Sequence, residues 1–117
     1  MQKIFPFARL ALKLALIELN FKEGDVILAP DFNCDVIYHP IRELGINLKL
    51  YPVSDTFNPN WRKVEELLCS KSKGILMVHY FAQPQHVEKF KRFCKQNNLY
   101  LIEDNSHGYS SQYQNKL

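Results

Sequence analysis

Asp104 and His107 stand where an apolar run ends, in the segment Leu99-Tyr-Leu-Ile-Glu-Asp-Asn-Ser-His-Gly108. The run has the length of a strand, and the polar residues and glycine after it mark a chain leaving the core and turning. In an open α/β sheet this is the edge where ligands bind. A carboxylate there can hold a metal, orient a base or keep a heterocycle protonated, and it can equally cap a turn. His107 can donate to an anionic oxygen or to Asp104, or stand solvated in its loop. His79, in Val-His-Tyr-Phe, ends another apolar run and points to the same edge. His79, Asp104 and His107 match no known metal-ligand spacing, so no metal is assigned.

Two further groups bear on the same edge. Phe5-Pro-Phe-Ala-Arg9 precedes a helical pattern, so the backbone N–H groups near Ala8 and Arg9 are available to an anion at a helix start. Arg9 can add a charge-assisted contact or serve as a surface charge. The glycine-rich signature of a P-loop is absent. Cys34 follows Asp31-Phe32-Asn33 at the end of a strand pattern, with no histidine nearby in sequence to activate its thiol. Cys69 and Cys94 read as core or helix-surface residues, and Trp61 as a packing anchor.

The elements that position these groups follow from periodicity. Residues 10–19 are apolar nearly all the way round a helix, which predicts burial on most sides. Residues 26–29 form a continuous apolar run before Pro30, as in a parallel strand covered on both faces. Val36, Ile37, Ile41 and Leu44 recur at helical spacing, with Asp31 or Asn33 as N-cap and Gly45 as C-cap. Pro40 either kinks that helix or marks where its regular turns begin. Residues 46–53 alternate Ile46, Leu48 and Leu50 with Asn47, Lys49 and Tyr51, a half-exposed strand near a sheet edge.

Asn58-Pro59 supplies a cap and first-turn proline for a helix through Val64, Leu67 and Leu68 to about Ser70. Residues 74–79 form the next strand. Gln83-Pro84 opens a helix with Val87, Phe90, Lys91 and Cys94 on one face, ended by Asn97-Asn98 before the last strand at residues 99–102. Strands alternating with helices, without hairpin signals, predict an α/β fold: three αβα layers on a mostly parallel sheet.

The 117 residues fit one small domain, and 46% hydrophobic with 23% charged residues is an ordinary globular composition. The net charge of +3 comes from lysines scattered along helices, without the basic footprint of nucleic-acid binding. Three widely spaced cysteines suggest neither a disulfide framework nor a zinc knuckle and suit a reducing cytoplasm. The stretch at residues 10–19 is too short to span a bilayer, so no membrane partner is expected.

Four segments, in their order and intervals, resemble the DegT/DnrJ-type sugar aminotransferases, pyridoxal-phosphate enzymes of the aspartate aminotransferase fold. They are Phe7-Ala-Arg-Leu-Ala-Leu12, Lys22-Glu-Gly-Asp-Val-Ile-Leu-Ala-Pro-Asp-Phe32, Val78-His-Tyr-Phe-Ala-Gln-Pro84 and Leu101-Ile-Glu-Asp-Asn-Ser-His107. The resemblance covers residues 5–108 and implies a partial large domain of a fold type I pyridoxal-phosphate transferase, with residues 1–117 a single partial domain. It places Ala8 and Arg9 at the helix start that holds the cofactor phosphate, and Asp104 opposite the pyridine nitrogen, which it keeps protonated. It places His107 near the ring's phenolic oxygen.

There are departures from the family pattern. Cys34 stands where many members stack an aromatic ring on the pyridine. Phe7 and Ala8 replace small residues, and Ala82 replaces a glycine. The family's Schiff-base lysine belongs to a later segment, and Lys116 lies too close to Asp104 to match it, so no residue of this chain is assigned as catalytic. The resemblance implies an amino donor and a keto-sugar nucleotide as substrates, a homodimer in the complete protein, and a fragment inactive by itself. A noncatalytic α/β binding or assembly module is the alternative. A metal-dependent hydrolase using His79, Asp104 and His107 is a third reading.

Overall fold

The apolar run after Gly24 forms strand β1 (Val26–Pro30), and each of its residues is buried. Such a strand needs neighbours on both edges and cover on both faces. Strands β2 (Asn47–Tyr51) and β3 (Ser72–Val78) flank it in parallel, and β4 (Tyr100–Asp104) pairs in parallel with β3, giving the order β2-β1-β3-β4. This computed structural model describes residues 8–32, 35–78 and 85–104.

Strand alternation divides the core into two layers. Ile27, Ala29, Leu76 and Val78 face helix α1 (Ala8–Glu18) and helix α2 (His39–Glu43), meeting Leu12, Leu16 and Ile41. Val26, Leu28, Ile75 and Met77 face helices α3 (Trp61–Leu67) and α4 (Val87–Asn97), meeting Val64, Phe90 and Phe93. The three-layer αβα arrangement expected from the sequence is therefore present, and all described strand pairs are parallel.

Several local expectations are corrected. Helix α1 buries Leu12 and Leu16, an i,i+4 pair, but Leu14 is 46% and Ile17 52% exposed. Apolar residues all round the helix do not mean burial all round, because the sheet and α2 cover one side. The helix expected over residues 33–44 is a 3-10 turn (Asp35–Tyr38) followed by the five-residue α2. Pro40 lies in the first turn of α2, where its missing N–H breaks no helical bond. Tyr38 is the N-cap and offers no side-chain cap, so Asp31 does not cap this helix, and Asn33 lies outside the described residues.

Asn60, not Asn58, caps α3 by accepting from the Lys63 N–H at 3.3 Å. Pro59 instead bridges to Val53, and α3 stops at Leu67, short of Ser70. Helix α4 has His86 as its N-cap, beyond Gln83-Pro84, and Lys91 is exposed while Phe90, Phe93 and Cys94 are buried. Asn98 adopts a left-handed conformation (φ 55°) and ends α4, as Asn97-Asn98 suggested. Trp61 is the anchor expected, with its ring 4.9 Å from Phe90 and 5.2 Å from Phe93.

Strand β2 lies at a sheet edge as expected, but its faces are reversed near its end. Leu50 is 44% exposed, whereas Tyr51 is buried and donates its hydroxyl to the Leu76 carbonyl at 2.7 Å. Tyr51 lies on the α3 side, where an aromatic ring can fill the layer and its hydroxyl finds a backbone acceptor.

Candidate functional site

Parallel pairing brings the carboxyl ends of all four strands to one edge, with Pro30 beside Tyr51 and Val78 beside Asp104. Two bonds hold that edge near β1: the Tyr38 hydroxyl donates to the Pro30 carbonyl, and the Asp31 N–H donates to the Tyr51 carbonyl at 2.9 Å. Asp104 is the last residue of β4 and is only 7% exposed. The period of two puts it on the same face as Ile102, toward α1.

There it borders a cleft of about 370 Å³, walled by Ala11, Leu12 and Ala15 of α1, Ile37, Leu76 and Ile102. Because Ala11 lies three residues into the helix, the first N–H groups of α1 are about 4.5 Å of helical rise from the cleft wall. The first turn of α1 has no acidic residue to oppose an anion. One cleft thus runs along α1 from Ala11 and ends at a buried carboxylate.

Of the residues singled out from sequence, Asp104 stands at the strand end expected, and α1 begins at Ala8, followed by Arg9. The side chains of Ala8 and Arg9 lie outside the described residues, as do Cys34, His79 and His107. Among the described residues, no three His, Cys, Asp or Glu side chains cluster as metal ligands, and no helix is long and apolar enough to cross a membrane.

The cleft wall itself was missed. Ala8, Ala11 and Ala15 recur at i, i+3 and i+7, a small-residue stripe that could have indicated open space beside the helix. Ile37 offered no comparable signal, since it reaches the cleft through the 3-10 turn.

The thiols differ in environment. Burial pushes Cys94 up to about 11. At exposed Cys69, the neighbouring Ser72 hydroxyl, then the Lys71 backbone, hold the thiol below its ordinary value.

An open parallel sheet whose buried acid borders a cleft at the carboxyl edge has the architecture of an α/β ligand-binding domain. The sequence profile of the DegT/DnrJ/EryC1/StrS aminotransferase family matches residues 8–117, and the chain belongs to this family. GDP-perosamine synthase of Escherichia coli O157:H7 is 30% identical over 111 residues, which are 91% of this chain and 29% of that protein. The dTDP-4-amino-4,6-dideoxy-D-glucose transaminase of Escherichia coli is 29% identical over 107 residues, 91% of this chain and 28% of that protein. Among solved structures, NtdA of Bacillus subtilis, with the cofactor PMP bound, superposes with a TM-score of 0.84 at 21% identity, covering 92% of this chain and 25% of that one.

The chain therefore spans under a third of the length of these relatives. Its fold is that of the pyridoxal-phosphate aminotransferases, and pyridoxal 5'-phosphate is the family's cofactor. The described donor set fits that cofactor: helix N–H groups suit a phosphate, and a buried carboxylate suits a protonated ring nitrogen.

Proposed function

We propose that this chain is the cofactor-binding part of an aminotransferase that moves an amino group from an amino-acid donor to a keto-sugar nucleotide. The observation that carries this reading is the cleft shared by Asp104 and the Ala11, Leu12 and Ala15 side of α1. Family membership and the nucleotide-linked sugars in the relatives' names support the reaction and substrate class. Residues 1–117 are read as one partial domain. A homodimer in the cytoplasm is the assembly and location proposed.

Pyridoxal phosphate supplies, when bound, a ring that accepts electrons from the substrate. The N–H groups at Ala8 and Arg9 would hold its phosphate, aided by the α1 dipole, and by the family resemblance Arg9 would add a charge-assisted contact. Asp104 keeps the proton on the ring nitrogen, and its burial keeps water from weakening that contact. The apolar walls from Leu12, Ile37 and Ile102 would keep water from a group bound in the cleft. By the family resemblance, Cys34 and His107 are also assigned to the cofactor ring, Cys34 without the aromatic stacking of many members. No lysine of this chain is assigned the Schiff-base role.

The test uses the protein that carries this chain, loaded with pyridoxal phosphate. Asp104→Ala is expected to lower turnover by at least about 100-fold, the scale for losing a group that stabilises transition-state charge. It should also alter the visible absorption of the bound cofactor. Unchanged turnover and spectrum in that variant would remove the assignment. A wild-type absorption band that borohydride cannot fix covalently would favour a noncatalytic binding module instead.

A further inference from the structure

Toward its carboxyl edge the sheet forks between β1 and β3. The ladder joining these strands runs from Val26 beside Ser72 to Leu28 beside Ile75. Beyond it, β1 stays paired with β2 as far as Pro30 beside Tyr51, and β3 with β4 as far as Val78 beside Asp104. The chain after β1 crosses to β2 through α2 on one face, and the chain after β3 crosses to β4 through α4 on the other. Adjacent strands whose connections leave in opposite directions open a crevice between their carboxyl ends.

A tyrosine hydroxyl closes the backbone on each branch. The peptide after Pro30 is trans, and its Asp31 N–H donates to Tyr51 on β2 at 2.9 Å, so the Pro30 carbonyl points away from β2 into the fork. There it accepts from the Tyr38 hydroxyl, in the core layer of α1 and α2. On the other branch the Leu76 carbonyl accepts from the Tyr51 hydroxyl at 2.7 Å, in the opposite layer.

The branches depend on these bonds differently. Leu76 lines the cleft and is held by the β3–β4 ladder, opposite Ile102. Ile37 also lines the cleft, but it belongs to the 3-10 turn Asp35–Tyr38 and not to a strand. Its neighbour Tyr38 is buried, ends that turn, caps α2 and has the Arg42 guanidinium 5.8 Å from its ring centroid. The bond from Tyr38 to Pro30 thus pins the turn to the end of β1. We propose that Tyr38 is a positioning residue, which fixes Ile37 in the cleft wall and so sets how tightly the cleft holds its occupant. This inference rests on reading the cleft as the pyridoxal phosphate site and deepens it by naming what fixes that wall.

The experiment is a titration of the protein that carries this chain with pyridoxal phosphate, read by the visible absorption of the bound cofactor. Tyr38→Phe keeps the ring and should weaken binding by about 3- to 10-fold, the scale of one hydrogen bond. Ile37→Ala should weaken it as well. Adding Tyr38→Phe to Ile37→Ala should cost no further affinity, because the residue through which Tyr38 acts is gone. Tyr51→Phe removes the donor on the other branch and should lower unfolding stability while leaving cofactor affinity unchanged.

Unchanged affinity in Tyr38→Phe would overturn the positioning role and leave the cofactor reading standing. So would an equal loss from Tyr38→Phe with Ile37 present or replaced, or a matching loss in Tyr51→Phe. Wild-type affinity in Ile37→Ala would overturn it too, whether or not Tyr38→Phe folds. A wild-type protein that binds no pyridoxal phosphate would overturn the cofactor reading of the cleft, and the role of Tyr38 with it.

Discussion

At the residue scale, Tyr51 shows how one side chain ties the edge strand to the centre of the sheet. Its hydroxyl crosses to the Leu76 carbonyl on β3, although β1 lies between the two strands. Tyr51→Phe keeps the ring and removes the donor, so we expect a loss of about 1–2 kcal/mol in denaturant unfolding. The two described thiols give a second prediction. A thiol-reactive probe at pH 7 should modify Cys69 rapidly and Cys94 only on unfolding, as read by mass spectrometry, because Cys69 is exposed with a lowered pKa and Cys94 is buried with a raised one. Cys94 also predicts pH dependence. Its folded pKa of about 11 exceeds the ordinary 9.0, so the folded state holds this proton more tightly. The associated stability is present below pH 9 and is lost as pH rises from about 9 to about 11, with a slope of at most about 1.4 kcal/mol per pH unit. Cys94→Ala should flatten that part of the profile.

At the element scale, the turns between helices and strands decide how α1 and α2 meet the sheet. Gly45 follows α2 with a φ of +75°, and a Cβ there would come 2.8 Å from the Glu23 Cγ. Its carbonyl also accepts from the Gly24 N–H at 3.0 Å, joining the turns that lead into β1 and β2. Gly45→Ala should therefore cost about 1–2 kcal/mol by thermal or denaturant unfolding, chiefly through the left-handed backbone. Leu16 is the central contact of α1 and is fully buried. Leu16→Ala should cost about 2–5 kcal/mol in the same measurement. It should also loosen the cleft, since Leu12 and Ala15 share that helix and line it. The α1 pattern was legible in sequence as a helix but not as a face, because Leu12, Leu14, Leu16 and Ile17 are equally apolar and only packing separates them. Pro40 shows the same limit: its residue type allows a kink or a start, and the 3-10 turn decides for a start.

At the scale of the whole molecule, β1 and β3 contribute alternate residues to both core layers, so neither layer can unfold alone without exposing the other. Trp61 fluorescence, which reports the α3 and α4 layer, should change at the same denaturant midpoint as far-UV circular dichroism. Separate midpoints would show that the layers are independent. The sequence by itself determined the alternation of strands and helices, the parallel sheet, the strand end that carries Asp104 and the helix before β1. These follow from local periodicity and from residues with few conformational options, and the motif order added the family. Only the tertiary structure decided which face of each element is covered, because burial depends on what packs alongside. It put Tyr51 inside and Leu50 outside, and opened the cleft beside Ala11 and Ala15. It also stacked Phe32 on Phe57 from loops 25 residues apart. That pairing exists because three parallel strands end at one edge, a juxtaposition that no local pattern encodes.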